Sequence, residues 1–203
     1  MPPLVRIEVA TSNPGKLREY RELAGGQPIQ LESVAGIADV APFDENANTF
    51  AENSAGKALY YSRFTSEPVI ADDSGLVVPT LGGAPGVHSA RYAGANANDA
   101  DRVAKLLAAM RGKTGNDRRA RFVCVLTLAQ AGRAIAVFSD TVEGVLAEHP
   151  SGINGFGYDP IFYFEKLGKT YAEISQQEKN EYSHRGRAFR KLLKFLLSDD
   201  PNI

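Results

Sequence analysis

The segment VRIEVATSNPGK, residues 5–16, combines the pattern of a strand with the start of a helix. Its first half alternates valine and isoleucine with arginine and glutamate, which predicts a short strand with one buried face. Asn13 is a favoured N-cap residue and Pro14 fits the first helical position, so the sequence predicts a helix from this point. A strand that runs directly into a helix indicates an α/β protein, in which helices pack against a sheet with parallel strands.

Helices and strands alternate early in the chain, and strands pair later. The predicted elements are a helix from Thr49, a short buried strand at 68–71, a helix over the apolar positions 103–110, a hairpin that turns at Ala131-Gly132, a strand at 161–164 and an amphipathic helix near 183–198. We therefore expect an α/β fold with a mixed sheet. The Gly/Ala/Asn-rich stretch 82–98 is a long connection, and such connections are usually functional.

The composition is that of an ordinary globular chain. The 203 residues are 43% hydrophobic and 23% charged, with a formal net charge of -1. This length suits one domain, residues 1–203, with room for two lobes. The nearly neutral charge argues against nucleic acid or membrane as a partner, and no apolar run approaches the ~20 residues of a membrane span. The single cysteine, Cys124, excludes an internal disulfide framework, so we expect a reducing, cytoplasmic location.

The turn TSNPGK, residues 11–16, has a functional and a structural interpretation. Free N–H groups and the positive end of the helix dipole suit a phosphate, and Lys16 adds a positive charge. The turn is not a Walker A loop, because Ala10 and Leu17 stand where that pattern has Gly and Ser or Thr. The alternative is a well-capped helix with an exposed lysine, since capping residues are common at helix starts.

Three acidic residues are open to two interpretations. Glu52 follows Thr49 at the spacing of a capping box, but it is also a candidate metal or water ligand. Asp72 and Asp73 follow the predicted strand 68–71, and extended backbone would point them to opposite sides. Adjacent carboxylates are costly to desolvate unless a cation meets them, and Mg²⁺ takes one or two carboxylates with phosphate and water. The alternative for this pair is an Asx-type turn.

Two further segments each have a functional and a structural interpretation. NGFGYDP, residues 154–160, places an aromatic ring between two glycines, which suits a stacked base and equally describes a bulged turn before a strand. Lys179, His184 and Arg185 lie just before or at the start of the last helix, where positive charge opposes the helix dipole. That conflict indicates a ligand, with solvated surface charge as the alternative.

Together these motifs make the chain similar to the inosine triphosphate pyrophosphatase family, which acts on non-canonical purine nucleoside triphosphates. The resemblance covers nearly the whole length and keeps the family's order and spacing. It rests on ATSNPGK at 10–16, FAENSAGKA at 50–58, ADDSGL at 71–76, LGGAPGVHSARYAG at 81–94, NGFGYDPIF at 154–162 and EKNEYSHRGRA at 178–188. Departures at Ser54, Pro79 and Gln177 affect no residue assigned to chemistry.

The resemblance implies an elongated, two-lobed α/β fold with a long mixed sheet, flanking helices and a central substrate cleft. It also implies a homodimer that requires Mg²⁺. The implied reaction is hydrolysis of the α–β bond of ITP, dITP and XTP to the monophosphate and pyrophosphate, which cleanses the nucleotide pool.

The resemblance further implies roles for individual residues. Asp73 is expected to accept the proton, with Asp72 and Lys16 also at the catalytic site, and Glu52 and Asp73 are expected to hold the Mg²⁺. The expected substrate contacts are Thr11, Ser12, Asn13, Pro14, Gly15, Lys16, Ser74, Phe156, Gly157, Tyr158, Asp159, Lys179, His184 and Arg185. Within this set, a guanidinium such as that of Arg185 can donate to a purine O6, and the Phe156 ring can stack any base.

Two other functions remain open from the sequence. One is a related pyrophosphatase that acts on pyrimidine or other modified nucleotides, although NGFGYDP and SHR match the purine-selective family. The other is a nucleotide-binding regulator that has lost catalysis. Clustered carboxylates near a polyanion give a mere binder little advantage, so Glu52, Asp72 and Asp73 favour an enzyme.

Overall fold

The computed structural model describes residues 4–34, 36–37 and 39–198. Within them, seven strands form one sheet in the order β2-β1-β3-β4-β5-β6-β7. The strands are β1 (Val5–Val9), β2 (Ile29–Ser33), β3 (Val69–Val77), β4 (Arg119–Gln130), β5 (Arg133–Leu146), β6 (Phe162–Phe164) and β7 (Lys169–Thr170), and the helices are α1 (Pro14–Leu23), α2 (Phe50–Tyr61), α3 (Asp99–Ala109), α4 (Gln176–Tyr182) and α5 (His184–Leu196). β1 pairs in parallel with β2 and β3, whereas β6 is antiparallel to β5 and β7. The predicted α/β fold with a mixed sheet and flanking helices is confirmed.

Local sequence signals fix the ends of several elements as predicted. Asn13 caps α1 and Pro14 is its first residue, so the strand–turn–helix unit at the N-terminus is confirmed. Thr49 caps α2 with its side chain. The turn of the β4–β5 hairpin consists of Ala131 and Gly132, whose φ values of 50° and 74° are those that a two-residue type I′ turn requires.

Strand β3 is longer than predicted. Instead of ending at Ala71, it continues to Val77, so Asp72 and Asp73 lie inside a buried strand. The expected strand end and the alternative of an Asx-type turn are therefore both wrong. Carboxylates are tolerated in such a strand because ion pairs and hydrogen bonds, described below, replace the hydration that burial removes.

The chain divides into two compact units, and each unit has its own core. Unit 1 comprises residues 1–73, 124–140 and 185–203, and unit 2 comprises residues 74–123 and 141–184. In unit 1, helices α1 and α5 pack on the sheet through residues such as Tyr20 and Phe189, and a second cluster includes Ala58 of α2. In unit 2, the core includes Leu106 of α3 and Phe162 of β6.

The helices are short. Among the described residues the longest helix, α5, has 13 residues, whereas a bilayer span needs about 20. In the part of the chain that the structure describes, no helix combines the length and the apolar character needed to cross a membrane.

Candidate active site

The N-terminus of α1 forms one edge of the candidate site in unit 1. The Asn13 Oδ1 atom accepts hydrogen bonds from the backbone N–H groups of Gly15 (2.8 Å) and Lys16 (3.1 Å), and Thr11 Oγ1 accepts from Asn13 N (3.1 Å). These bonds hold the turn in one conformation and account for three backbone donors at the helix start. The turn therefore presents the positive end of the helix dipole and the Lys16 side chain together.

Asp72 lies at the centre of a buried charge network on one side of β3. Its Oδ2 atom is 3.0 Å from Lys16 Nζ and 3.4 Å from an Arg185 guanidinium nitrogen, and Arg185 also pairs with the buried Glu19. Although burial opposes ionisation, the charges of Lys16 and Arg185 hold the pKa of Asp72 well below its usual range. Asp72 is therefore a fixed anion, and it orients Lys16, for which the sequence predicts a role in phosphate binding.

Asp73 points away from this network, as alternation along a strand requires. Its Oδ2 atom accepts a hydrogen bond from Asn53 Nδ2 at 3.0 Å. Burial raises the pKa of Asp73 to about 6, against the lowering effect of the Asn53 bond and of Lys16, and the negative charge of Glu45 adds to the rise. Two adjacent carboxylates thus have opposite properties: Asp72 is held as an anion, and Asp73 takes up a proton readily.

Glu45 is the carboxylate whose negative charge contributes to the raised pKa of Asp73. It accepts a hydrogen bond from Lys57 Nζ at 2.7 Å, and the same ammonium donates to the Asp72 backbone carbonyl at 2.8 Å. Glu52, in contrast, is exposed, and its Oε2 accepts from the Thr49 hydroxyl at 2.7 Å. The negative charge of Glu45 acts on Asp73, whereas Glu52 contacts the hydroxyl of the N-cap residue Thr49. The metal role of Glu52 stays a prediction.

The carboxylates of Asp73 and Glu45 suit a divalent cation that arrives with a substrate. Burial disfavours the ionised form of Asp73, and a bound cation would offset that cost. Among residues 4–34, 36–37 and 39–198, no three His, Cys, Asp or Glu side chains are grouped to hold a metal by themselves. Mg²⁺ commonly binds one or two carboxylates and completes its shell with phosphate oxygens and water, so this donor set fits it.

The candidate base-binding residues other than Arg185 are in unit 2. Asp159 Oδ2 accepts from the backbone N–H of Phe156 (2.9 Å) and from Lys179 Nζ (2.5 Å), and both Asp159 and Lys179 are buried. The Lys179 ammonium also lies 4.6 Å from the centre of the Phe156 ring. A short turn with an aromatic ring is thus held by a buried ion pair, an arrangement that suits a flat ligand.

Other contacts in unit 2 fix the neighbouring residues. The Tyr158 hydroxyl donates to the Ser89 carbonyl at 3.0 Å, and His184 stacks on Phe122 with ring centres 4.7 Å apart. A side chain at Gly75 would lie 2.4 Å from Ser89 Oγ, so the glycine that follows Ser74 is sterically required.

The boundary between the two units falls within one group of residues that are close together in the sequence. Lys179 and His184 belong to unit 2, whereas Arg185 belongs to unit 1 and contacts Glu19 and Asp72. The conflict between these cations and the helix dipole is thereby resolved at Arg185 by two carboxylates.

Four residues of the unit 1 site are absent from the predicted set: Glu19, Glu45, Asn53 and Lys57. A signal existed for two of them, because Asn53 and Lys57 are four residues apart and share one face of α2. Glu19 and Glu45 carry no such local signal. Their roles depend on contacts with residues that are distant along the chain.

Comparison with known proteins gives a consistent result. The sequence model of the Ham1 family matches residues 7–195. The chain is 50% identical over 186 residues to the dITP/XTP pyrophosphatase of Geobacillus kaustophilus, covering 92% of this chain and 91% of that protein. It is 47% identical over 190 residues to a dITP/XTP pyrophosphatase of Thermus thermophilus, covering 94% and 91%.

Solved structures show the same fold. A HAM1 protein from Coxiella burnetii superposes with a TM-score of 0.85 at 40% identity, covering 95% of this chain and 98% of that one. The Ham1 protein of Staphylococcus aureus gives a TM-score of 0.83 at 39% identity, covering 94% and 97%.

Proposed function

This chain belongs to the Ham1 family, and we propose that it is a nucleoside triphosphate pyrophosphatase. The proposed substrates are ITP, dITP and XTP, which it cleaves at the α–β bond to give the monophosphate and pyrophosphate. The names of its relatives support this substrate class. The observation that carries the proposal is the pair Asp72 and Asp73, because one carboxylate orients Lys16 at a helix N-terminus and the other is suited to take up a proton.

The triphosphate would bind at the N-terminus of α1. Its several negative charges need a local positive site, since the chain as a whole is nearly neutral. The dipole of α1 and the Lys16 ammonium supply that site, and Asp72 keeps the ammonium in position. The same residues would stabilise the negative charge that develops on the leaving pyrophosphate.

Asp73 and Glu45 would hold the Mg²⁺ that we propose as cofactor. When bound, the ion neutralises phosphate charge and lowers the pKa of a coordinated water. The Asn53 amide holds Oδ2 of Asp73, so Oδ1 is the atom that would accept the proton of the attacking water. Lys57 holds Glu45 by a 2.7 Å hydrogen bond and so fixes the second carboxylate.

The purine would stack on Phe156, whose ring is fixed by the turn that Asp159 closes. Stacking is indifferent to ring substituents, so it provides affinity rather than selectivity. Selectivity for a 6-oxo purine needs a hydrogen-bond donor directed at O6, and Arg185 remains our predicted donor. Its guanidinium is oriented by Glu19 and Asp72.

A substrate panel tests the proposal. Purified protein with Mg²⁺ is given ITP, XTP, GTP, ATP or dTTP, and the released pyrophosphate is measured. We expect kcat/KM for ITP and XTP to exceed that for ATP and dTTP by on the order of 100-fold or more, because a mismatched polar group in the base site is strongly rejected. Preferred cleavage of dTTP would favour a pyrimidine pyrophosphatase. Tight binding of ITP without pyrophosphate release would favour a non-catalytic regulator.

Two further properties belong to the same proposal. We propose a homodimer, for which light scattering after size-exclusion chromatography would give twice the mass of the chain. We also propose a cytoplasmic location, which agrees with a free, buried Cys124. A monomeric mass at all protein concentrations would contradict the first of these.

A further inference from the structure

The turn that carries Phe156 is held by carboxylates from two different parts of unit 2. Asp159 Oδ2 accepts from the Phe156 amide at 2.9 Å, and Asp99 Oδ2 accepts from the next amide, that of Gly157, at 2.7 Å. Asp159 belongs to the turn itself, whereas Asp99 is 58 residues earlier in the chain. Two consecutive backbone donors are thus fixed from two directions.

Asp99 is itself firmly placed. It is the first residue of α3, a helix whose buried Val103 and Leu106 anchor it in the core of unit 2. The second oxygen of Asp99 pairs with Arg102, and Arg102 donates to the Ala97 carbonyl at 2.6 Å. Contacts within and next to its own helix therefore fix the Asp99 carboxylate that accepts from the turn.

The turn needs an external support because its own backbone is permissive. Gly155 and Gly157 flank Phe156 with φ values of 74° and 64°, in the left-handed region that glycine enters without strain. Glycines lose more conformational freedom on ordering than other residues, so a turn with two of them is easily disordered. The hydrogen bond from the Gly157 N–H to Asp99 offsets the entropic cost of ordering the residue that follows the ring.

We infer that Asp99 is a positioning residue for base binding: it holds the Phe156 ring ready for the purine by fixing the Gly157 amide. This inference rests on the proposed function, since it takes Phe156 as the stacking surface. It also gives the long connection 82–98 a purpose, because that connection leads into the helix that delivers Asp99. Asp99 contacts no reacting atom, so its effect falls on substrate binding.

Three variants test the inference. Asp99→Ala removes the acceptor, and Asp99→Asn keeps an oxygen that can accept from Gly157. Asp101→Ala is the matched control, because Asp101 lies in the same first turn of α3 and closes the capping box with Asn98 without touching the Phe156 turn. Each protein is assayed for kcat and KM with ITP and XTP, and amide hydrogen exchange at Gly157 is followed by NMR.

We expect Asp99→Ala to raise KM about tenfold for both nucleotides with kcat within about twofold, because a lost charge-assisted hydrogen bond weakens ground-state and transition-state binding alike. Asp99→Asn should keep KM within about threefold of the wild type. Gly157 exchange should accelerate in Asp99→Ala only, and Asp101→Ala should lower Tm while leaving KM unchanged.

Other outcomes overturn the inference. An unchanged KM in Asp99→Ala, or an equal rise in Asp101→Ala, would show that Asp99 only stabilises α3. The proposed function fails separately, if the wild-type protein releases no pyrophosphate from ITP or XTP. In that event the Gly157 exchange rates still decide whether Asp99 orders the turn, and equal rates in wild type and Asp99→Ala would reject it.

Discussion

Asp72 and Asp73 are neighbours in sequence, yet they face opposite sides of β3 and differ in charge state. Asp72 holds Lys16 and Arg185, and Asp73 contacts Asn53. We predict that Asp73→Asn lowers kcat for ITP by about 100-fold or more and leaves the fold intact. Asp72→Asn should lower the free energy of unfolding by about 3 kcal/mol, because Lys16 and the buried Arg185 both lose the charge of a buried carboxylate. Turnover and urea denaturation of both variants check this, and near-normal turnover of Asp73→Asn would contradict it.

The raised pKa of Asp73 predicts how the free energy of unfolding depends on pH in the metal-free protein. Folding raises the pKa of Asp73 from 3.8 to about 6, so the folded state binds this proton more tightly than the unfolded state. The contribution of Asp73 to stability therefore falls as pH rises from about 4 through 6. Asp73→Asn removes that loss, and its stability relative to wild type should increase across this interval. Urea denaturation of both proteins with EDTA at pH 4.5 and 7.5 measures this difference in the free energy of unfolding. The same difference at both pH values would show that folding does not raise the pKa of Asp73.

Arg185 combines a structural and a predicted selective role. Arg185→Ala leaves Glu19 and Asp72 buried without their guanidinium, so we expect a loss of about 3 kcal/mol in the free energy of unfolding. If Arg185 also reads O6, the ratio of kcat/KM for ITP to that for ATP should narrow by one or two powers of ten. If the folded variant keeps the same ITP-to-ATP ratio of kcat/KM, Arg185 has only the structural role of pairing with Glu19 and Asp72.

Two glutamates near the start of α2, Glu45 and Glu52, are alternative candidates for the metal site. Glu52 follows the N-cap residue Thr49 and accepts from its hydroxyl, whereas Glu45 precedes the helix and acts on Asp73 through its negative charge. We predict that Glu45→Gln lowers ITP turnover at least about tenfold and raises the Mg²⁺ concentration needed for half activity. Glu52→Gln should change neither by more than about twofold, because the side-chain oxygen of glutamine can accept the same hydrogen bond from the Thr49 hydroxyl. A Mg²⁺ titration of both variants measures this, and the opposite order of effects would return the metal role to Glu52.

Elements were predictable where a local signal marks them. The N-caps at Asn13 and Thr49 and the turn at Ala131-Gly132 are such signals, and all three are confirmed. Helix α4 is not predicted from the sequence, although Ser175 and Glu178 form its capping box, because a helix of only seven residues is too short to show a clear apolar periodicity. The extension of β3 could not be predicted, since two carboxylates are compatible with a buried strand only through distant partners.

The same distinction applies to the candidate site. The sequence identifies Lys16, Asp72 and Asp73 through motifs. It does not identify Glu19 or Glu45, because a lone glutamate acquires a role only when the fold brings a cation or another carboxylate beside it. The contrast between Asp72 and Asp73 likewise depends on burial and neighbouring charge rather than on residue type.

At the scale of the whole molecule, the two units share their main elements. The chain passes between them four times, inside β3, β4 and β5 and at the start of α5. Neither unit is a continuous segment, so we predict one cooperative thermal transition, with calorimetric and van't Hoff enthalpies that agree. Two resolved transitions in scanning calorimetry would contradict this.

In the proposed reaction, water attacks the α-phosphorus of a purine triphosphate at this site. Hydrolysis of ITP in ¹⁸O-labelled water, followed by mass spectrometry of the products, shows which phosphorus the water attacks. Attack at the α-phosphorus puts the label into IMP and leaves the pyrophosphate unlabelled, which is the result we predict. Labelled pyrophosphate, or IDP and orthophosphate as products, would contradict the claim.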